Sequence, residues 1–321
     1  MRSFAALLVV WLHVCSQCQD GLPDGGGRLS CLVLNQMCFV GVPLFIMISG
    51  GLLVRDDNQD VLPFWKKRLA RLAIPMLFWT VAYLVLRYFQ GDGFSFKNAV
   101  FSTLRGVPYY HLWYLYMLLG LYAVTPLSSR LFAHCSFDEK CLWTLFALAI
   151  PWLNHLTEMA LGTYSWNAGQ RLFINLFLPF IGLYLLGAVL VEATEKRTNM
   201  GTGVALALGG GILTIAMAFI SAKTNPALFY NLSFLNNIAA ALLFAGCLLI
   251  PMQGRKVFCV LGGATLGVYL LHPLLLWAMM QISVISLAPC LQFCLLLIVL
   301  PVLSWLLVLA WKRIPFLKRT V

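Results

Sequence analysis

Apolar stretches that approach the length needed to cross a bilayer recur from one end of the chain to the other. A bilayer core of about 30 Å is crossed by roughly 20 apolar residues in a helix. Because hydrocarbon offers the backbone no hydrogen-bond partner, such stretches fold as helices rather than as loops or open sheets. The sequence therefore predicts an all-α bundle of about ten transmembrane helices. The apolar stretches are residues 4–18, 31–54, 72–89, 112–131, 141–156, 172–191, 204–220, 228–250, 257–282 and 287–311.

The composition excludes a soluble fold. Hydrophobic residues make up 61% of the chain and charged residues only 10%, which is more apolar surface than a soluble domain can bury. Several stretches carry a proline, including Pro151, Pro179, Pro273 and Pro301. Neighbouring helices can satisfy the backbone groups that a proline frees, so these positions indicate either kinked helices around a cavity or ordinary bundle packing. We predict one membrane domain over residues 1–321, with no appended soluble domain.

The basic residues predict how the chain is oriented in the membrane. With a cytoplasmic N-terminus, sixteen of the 22 Lys and Arg residues fall in cytoplasmic segments. This excess and the even helix count favour both termini in the cytoplasm. The formal charge of +11 is then a topology signal that also attracts anionic lipid, and it gives no reason to expect a nucleic-acid partner. The cytoplasmic basic residues are Arg2, Arg55, Lys66, Lys67, Arg68, Arg71, Arg130, Lys140, Lys196, Arg197, Arg255, Lys256, Lys312, Arg313, Lys318 and Arg319.

The first apolar stretch carries the first candidate residues. It has no small-residue cleavage site, so we expect it to remain as the first helix. Arg2 and His13 lie at its two ends, and eleven residues of helix advance about 1100°, close to three turns, and roughly 16 Å. Both side chains therefore face the same way at different depths. An ionisable His within hydrocarbon is costly and is a functional candidate, whereas the alternative has His13 packing in the bundle and Arg2 reaching lipid phosphate.

A basic pair precedes the third apolar stretch. Arg68 and Arg71 are three residues apart, which makes them neighbours on a helix face. Guanidinium groups suit phosphate oxygens. The pair therefore indicates either an anchor to anionic lipid or a site for a phosphorylated cytosolic ligand.

The ten cysteines do not have the spacing of a zinc site, and we predict no metal. Most lie in apolar stretches, where a thiol behaves as a small hydrophobic group. Cys15, Cys18 and Cys31 fall on the predicted outer side, where a disulfide could form. Oligomeric state also stays open, because the small residues at 209–211 could pack helices within one chain or between chains.

Five segments occur in a characteristic order along the chain. They are residues 2–13 (RSFAALLVVWLH), 42–53 (VPLFIMISGGLL), 64–75 (FWKKRLARLAIP), 111–126 (beginning HLWYLY and ending TP) and 266–273 (LGVYLLHP). In this order they resemble the acyltransferase family 3 membrane proteins over nearly the whole chain. The resemblance implies about ten membrane helices and transfer of an acyl group, commonly acetyl, from cytosolic acyl-CoA to a hydroxyl of a glycan or lipid-linked saccharide. It also implies an integral protein of the bacterial cytoplasmic (inner) membrane.

The same resemblance implies roles for individual residues. Arg2 and His13 match the family's helix-one Arg and His, so His13 corresponds to the catalytic histidine. Arg68 and Arg71 match its Arg-x-x-Arg pair, which is implicated in function at the cytoplasmic face. Ser49 begins the match to its Ser-Gly motif. On this basis we expect His13 and Arg2 to be catalytic, with Arg68, Arg71 and Ser49 on the side that binds acetyl-CoA.

The chemistry of these residue types is consistent with acyl transfer. Attack of a sugar hydroxyl on a thioester needs a base with a near-neutral pKa, which imidazole provides, and His13 is the candidate base. The arginines can supply positive charge to the developing oxyanion and to the CoA phosphates. Asn35, Glu158 or a backbone carbonyl could orient His13. Direct transfer in a ternary complex and an acyl-histidine intermediate both stay open.

Further polar and aromatic residues are substrate-binding candidates. His111, Trp113 and Tyr116 begin the fourth apolar helix near the outer interface. Aromatic residues there form a belt against the lipid headgroups or could stack on an acceptor sugar. Tyr269 and His272 lie three residues apart in the ninth stretch and share a face, where they could line a cavity or make an interhelical hydrogen bond.

Two other classes of function remain open at this stage. A secondary transporter or exporter of a lipid-linked glycan would also have many helices and an intramembrane histidine. The inverted repeats and paired broken helices expected of such a transporter are not evident in the sequence. A non-catalytic partner in a glycan-synthesis complex is the third possibility, and the presence of both Arg2 and His13 disfavours it.

Overall fold

The computed structural model describes residues 1–55, 60–91, 95–161, 172–195, 198–251, 256–283 and 288–321, and these residues contain helices but no strand. The basic residues Lys196, Arg197 and Arg255 lie outside this part. The α-helices are α1 (Arg2–Cys18), α2 (Gly26–Cys38), α3 (Gly41–Leu53), α4 (Val61–Gln90), α5 (Phe96–Leu104), α6 (Trp113–His134), α7 (Phe137–Ala160), α8 (Ile181–Thr194), α9 (Met200–Lys223), α10 (Phe234–Leu249), α11 (Lys256–Gly263), α12 (Thr265–Ser283) and α13 (Pro289–Trp311).

The helices confirm the predicted fold class. Within the described residues, seven segments are long and apolar enough to cross a membrane, and two shorter apolar helices, α1 and α10, accompany them. The chain is therefore a polytopic helical membrane protein. The seven segments are Gly26–Leu53, Val61–Gln90, Trp113–His134, Phe173–Thr194, Met200–Lys223, Thr265–Ile282 and Pro289–Trp311.

Four of the predicted apolar stretches are interrupted in the structure, and one of them, the eighth, begins in the 3-10 helix Pro226–Phe229 before α10. The second stretch divides into α2 and α3, and Pro43 falls in the first turn of α3, where its missing N–H costs no helical hydrogen bond. The sixth begins as two short 3-10 helices before α8, and Pro179 lies at the start of the second of these. The ninth divides into α11 and α12 at Ala264. Hydropathy alone does not report such breaks, because both sides of each break are equally apolar.

The chain divides into two compact units, of which the first comprises Met1–Ile48, Leu190–Ile314 and Val321. In this unit α1 packs against α2, α12 and α13, while α9 packs along α10. A Cβ added at Gly203 of α9 would lie 3.0 Å from the carbonyl oxygen of Gly246 on α10, and one at Gly210 would lie 2.9 Å from that of Ala239. Small residues thus bring two helix backbones together within one chain.

The second unit comprises Ser49–Val189 and Pro315–Thr320. Here α4 packs against α6 and against the short 3-10 helix Leu317–Thr320, where the indole Nε1 of Trp79 donates a hydrogen bond to the Thr320 carbonyl oxygen at 2.8 Å. Gly50 of α3 contacts the backbone of α8 so closely that a Cβ there would overlap the Tyr184 carbonyl group. The glycine of the Ser-Gly motif therefore has a packing function.

Candidate active site

The first unit brings His13 of α1 and His272 of α12 into ring contact. Their ring centroids are 5.2 Å apart and their planes differ by 24°, which is a stacked arrangement. The His272 side chain is fully buried, whereas His13 is only partly buried. Tyr269 lies one helical turn before His272, with its ring centroid 6.2 Å from the His272 ring. The structure thus joins three residues that the sequence placed in two separate motifs.

Hydrogen bonds hold α1 on both sides of His13. The side-chain amide of Asn35 on α2 donates to the Leu12 carbonyl oxygen at 3.2 Å and to the Ser16 hydroxyl at 3.0 Å. On another face of α1, the indole of Trp11 donates to the Leu297 carbonyl oxygen of α13 at 2.8 Å. These contacts fix the helix at the residues next to His13, so they limit how far its ring can shift against His272.

Arg2 is the first residue of α1, and its side chain is exposed. Helix α1 is continuous from Arg2 through His13, as the sequence predicts. The eleven-residue spacing therefore places Arg2 on the His13 face of the helix and roughly 16 Å along its axis. At this distance Arg2 cannot contact the His13 ring directly.

The second unit contains the arginine pair on α4. Arg68 is partly buried, and its guanidinium carbon lies 5.3 Å from the ring centroid of Phe64 and 5.9 Å from that of Tyr122 on α6. Its Nε atom is buried and has no hydrogen-bond partner within the part of the chain that the structure describes. Arg71, one turn further along α4, is exposed. The two arginines are close in sequence but differ in environment, and Arg68 is the one held over aromatic rings.

The aromatic candidates at the start of α6 point into the second unit. His111, Trp113 and Tyr116 are all buried, so they do not form the lipid-facing belt that was one of the two expectations. The Trp113 ring stacks on Phe180 at 5.6 Å, and the Tyr116 hydroxyl lies 3.2 Å from the Thr80 hydroxyl of α4. Burial arises because this stretch packs against α4 and the short helices near Phe180 rather than against lipid. Contact with an acceptor sugar stays a prediction.

His111 is surrounded by tyrosine rings. The centroids of Tyr83, Tyr109 and Tyr110 lie 4.8, 5.8 and 5.4 Å from its ring, respectively. The sequence motif that begins with His111 gives no sign of Tyr83, which comes from the preceding long helix α4. Tyr109 and Tyr110 directly precede His111 in the sequence, so only this part of the cluster is predictable without the structure.

The cysteines are free thiols, so the disulfide that the sequence left open is not formed in the structure. The Cys31 thiol instead donates to the Cys15 carbonyl oxygen at 3.5 Å between α2 and α1. Among the described residues, no group of three or more His, Cys, Asp or Glu side chains could hold a metal ion. Ser49, the remaining candidate, lies in α3 next to Gly50 and is partly buried.

Comparison with known proteins agrees with the membrane fold. The family model described as an acyltransferase domain matches residues 1–309, which places the chain in the class of membrane acyltransferases. The chain belongs to this family, acyltransferase family 3. Comparisons with curated proteins and with solved structures gave no match.

Proposed function

We propose that this membrane acyltransferase moves an acetyl group from acetyl-CoA in the cytosol to a hydroxyl of an extracytoplasmic or lipid-linked saccharide. The observation that carries the proposal is the histidine on α1: a partly buried imidazole stacked on a second ring, in a helix held by hydrogen bonds on two sides. An imidazole has a nitrogen that can accept the proton of a substrate hydroxyl, which is the role of a general base. Membership of the family supports acyl transfer as the reaction. The choice of acetyl-CoA as donor and of a saccharide as acceptor is our proposal.

The proposed reaction needs one base and no metal ion. His13 removes the proton from the acceptor hydroxyl as its oxygen attacks the thioester carbon. The C–S bond then breaks, the acetyl group stays on the acceptor oxygen, and the CoA thiolate leaves with the proton that His13 returns. Direct transfer in a ternary complex uses His13 in this way, whereas an acyl-histidine intermediate would use it as the nucleophile.

Arg68 and Arg71 are proposed to bind the phosphates of acetyl-CoA at the cytoplasmic side, and Ser49, which belongs to the same unit, is proposed as a further donor-binding residue. Support for Arg68 comes from its buried Nε atom and from the two aromatic rings that hold its guanidinium group, since a fixed guanidinium fork binds phosphate well. Arg2 is proposed to add positive charge at the cytoplasmic end of α1. This arrangement corresponds to a protein of the bacterial cytoplasmic membrane with both termini inside.

Candidates for contact with the acceptor saccharide occur in each of the two units, and we propose each group by itself. In the first unit the fully buried His272 stacks on His13, and the partly buried Tyr269 next to His272 is the candidate for sugar contact. His111, Trp113 and Tyr116 belong to the second unit and are the other candidates for sugar contact. Aromatic faces and hydroxyl groups are the usual partners of a sugar ring, but they do not specify which sugar is bound.

The donor assignment is tested by measuring acetyl-CoA binding to the detergent-purified protein by isothermal titration calorimetry. We expect saturable binding to the wild type and about 10- to 100-fold weaker binding to Arg68→Ala, because a charged hydrogen bond to phosphate is lost. The matched control is Lys66→Ala, an exposed cation two residues away on the same helix.

Equal affinity of the Arg68 and Lys66 variants would remove Arg68 from the donor site. Failure of the wild type to bind acetyl-CoA, with longer acyl-CoA bound instead, would change the donor. No binding of any acyl-CoA would contradict the proposed reaction and favour the transporter alternative.

A further inference from the structure

We propose that His272 is a positioning residue for His13, and that its ring stabilises the imidazolium that His13 becomes when it takes the acceptor proton. The inference rests on the proposed function, in which His13 is the general base. It assigns His272 a role towards another side chain rather than towards the sugar.

The first support is the geometry of the pair. With centroids 5.2 Å apart and an angle of 24° between the planes, the His272 ring lies along the His13 ring rather than at its edge. The face of an aromatic ring carries partial negative charge, so it attracts a cation placed over it. In surroundings that exclude water such an interaction is stronger than at a protein surface. The stacked ring also limits rotation of the His13 imidazole.

The second support is that His272 is itself held in place. Its Nδ1 atom lies 3.0 Å from the Val268 carbonyl oxygen, one turn earlier in α12. Because a carbonyl oxygen only accepts hydrogen bonds, Nδ1 is the ring nitrogen that carries the proton. The side chain is fully buried, and close packing inside the helical bundle restricts the rotamers that it can adopt. A ring fixed in this way can define the plane of its neighbour.

The third support is electrostatic. Two positive charges on stacked rings would repel strongly in a medium of low dielectric constant. When His13 holds the proton, His272 therefore serves as the neutral partner with its single proton on Nδ1. The stacked ring stabilises the positive charge that develops on His13 during the reaction. Because this charge is absent from the ground state, its stabilisation accelerates the reaction.

The test compares three substitutions of His272 in protein reconstituted into nanodiscs. His272→Phe keeps an aromatic face and loses both ring nitrogens, His272→Gln keeps a polar nitrogen and loses the face, and His272→Leu loses both. Turnover is measured as CoA released from acetyl-CoA, detected by mass spectrometry, with a mixture of free hexoses as the acceptor probe. Met279→Leu is the control, because Met279 lies two turns further along the same helix and has no proposed role in binding or catalysis.

We expect the kcat of His272→Phe to stay within about threefold of wild type, and the kcat of the Gln and Leu variants to fall about 10- to 30-fold. The KM for acetyl-CoA should not change in any of them, because the proposed donor contacts lie on α4. A merely structural role would instead lower the amount of folded protein and leave the kcat of the remaining fraction unaffected.

Two results would overturn the inference while leaving the proposed function intact. One is a kcat that follows the ring nitrogen, with His272→Gln active and His272→Phe inactive. The other is wild-type kcat in all three variants while His13→Gln is inactive. If His272→Leu does not fold, the kcat values of His272→Phe and His272→Gln still distinguish the two roles, because the inference requires the higher kcat for His272→Phe. Absence of CoA release from the wild type with water and hexoses would instead contradict the proposed function itself.

Discussion

At the scale of single residues, environment separates side chains that the sequence treats alike. His13 and His272 both lie in apolar helices, yet one is fully buried and the other keeps an exposed part from which a substrate proton could be reached. Arg68 and Arg71 differ in the same way, since one is held over aromatic rings and the other is exposed. Chemical roles therefore follow from contacts as well as from residue type.

Substitution of His13 by Gln should abolish acyl transfer without unfolding the protein. Removal of a general base costs about 100- to 10,000-fold in turnover, while glutamine has a similar size and keeps a polar group. Release of CoA from acetyl-CoA and the thermal unfolding temperature in detergent are the two measurements. The control is His134→Gln, which changes an exposed histidine in the last turn of α6. Turnover of His13→Gln at the level of this control would remove the base assignment.

At the scale of helices, backbone contact and hydrogen bonds set the positions that function needs. Helix α1 is attached to its neighbours through Asn35 and Trp11 on the two sides of His13. Helix α3 meets α8 at Gly50 with no room for a side chain. In lipid the apolar surfaces of helices gain little by meeting one another, so such close approaches and polar contacts provide much of the specificity.

Gly50→Ala should prevent correct folding of the second unit. The added Cβ would overlap the Tyr184 carbonyl group, and neither backbone can move without disturbing its helix. The yield of monodisperse protein and the unfolding temperature should both fall sharply. Gly209→Ala is the matched control, because a Cβ at Gly209 in α9 meets open space and alanine favours a helix. A Gly50→Ala protein as stable as this control would contradict the close contact between α3 and α8.

Glu139 makes the start of α7 sensitive to acid. It forms a capping box with Ser136, accepting hydrogen bonds from the Ser136 backbone N–H at 2.7 Å and from its hydroxyl at 2.9 Å. These bonds, the backbone one first, hold the pKa of Glu139 below its ordinary value. Its contribution to stability is present above the ordinary pKa and is lost as the pH falls through the lowered one.

The acid dependence is measured by following thermal unfolding between neutral and acidic pH. We expect Glu139→Gln to remove a small part of the fall in unfolding temperature at low pH. Asp138→Asn, one residue earlier in the same exposed turn, is the matched control for loss of one carboxylate outside the capping box. Identical pH profiles for Glu139→Gln and the wild type would show that the capping box does not contribute in solution.

At the scale of the whole molecule, the orientation in the membrane is the main prediction still to be tested. The distribution of basic residues favours both termini in the cytoplasm. This orientation puts the start of α13 on the outer side and the start of α11 on the inner side. Each of these positions carries an exposed free cysteine, Cys290 in α13 and Cys259 in α11.

A membrane-impermeant thiol reagent applied to intact cells should label Cys290 and not Cys259. Each cysteine is examined in a variant in which the other nine are replaced by serine or alanine. After the membrane is permeabilised, Cys259 should become reactive, which serves as the control for its accessibility. Labelling of Cys259 in intact cells with Cys290 protected would reverse the proposed topology.

The sequence by itself determined the membrane fold, the family and the identity of the candidate residues on α1 and α4. It could do so because the bilayer acts on each apolar stretch locally, and because short motifs keep their spacing along a helix. It also predicted that Tyr269 and His272 share a face of one helix, which their ring contact bears out.

Only the tertiary structure decided which side chains meet. The stacking of His272 on His13, the tyrosine rings around His111 and the contact of Gly50 with Tyr184 all join residues far apart in sequence. Hydropathy cannot specify these pairs, because apolar helices are equally compatible with lipid and with one another. The shapes of small and aromatic side chains and a few buried hydrogen bonds select the pairing.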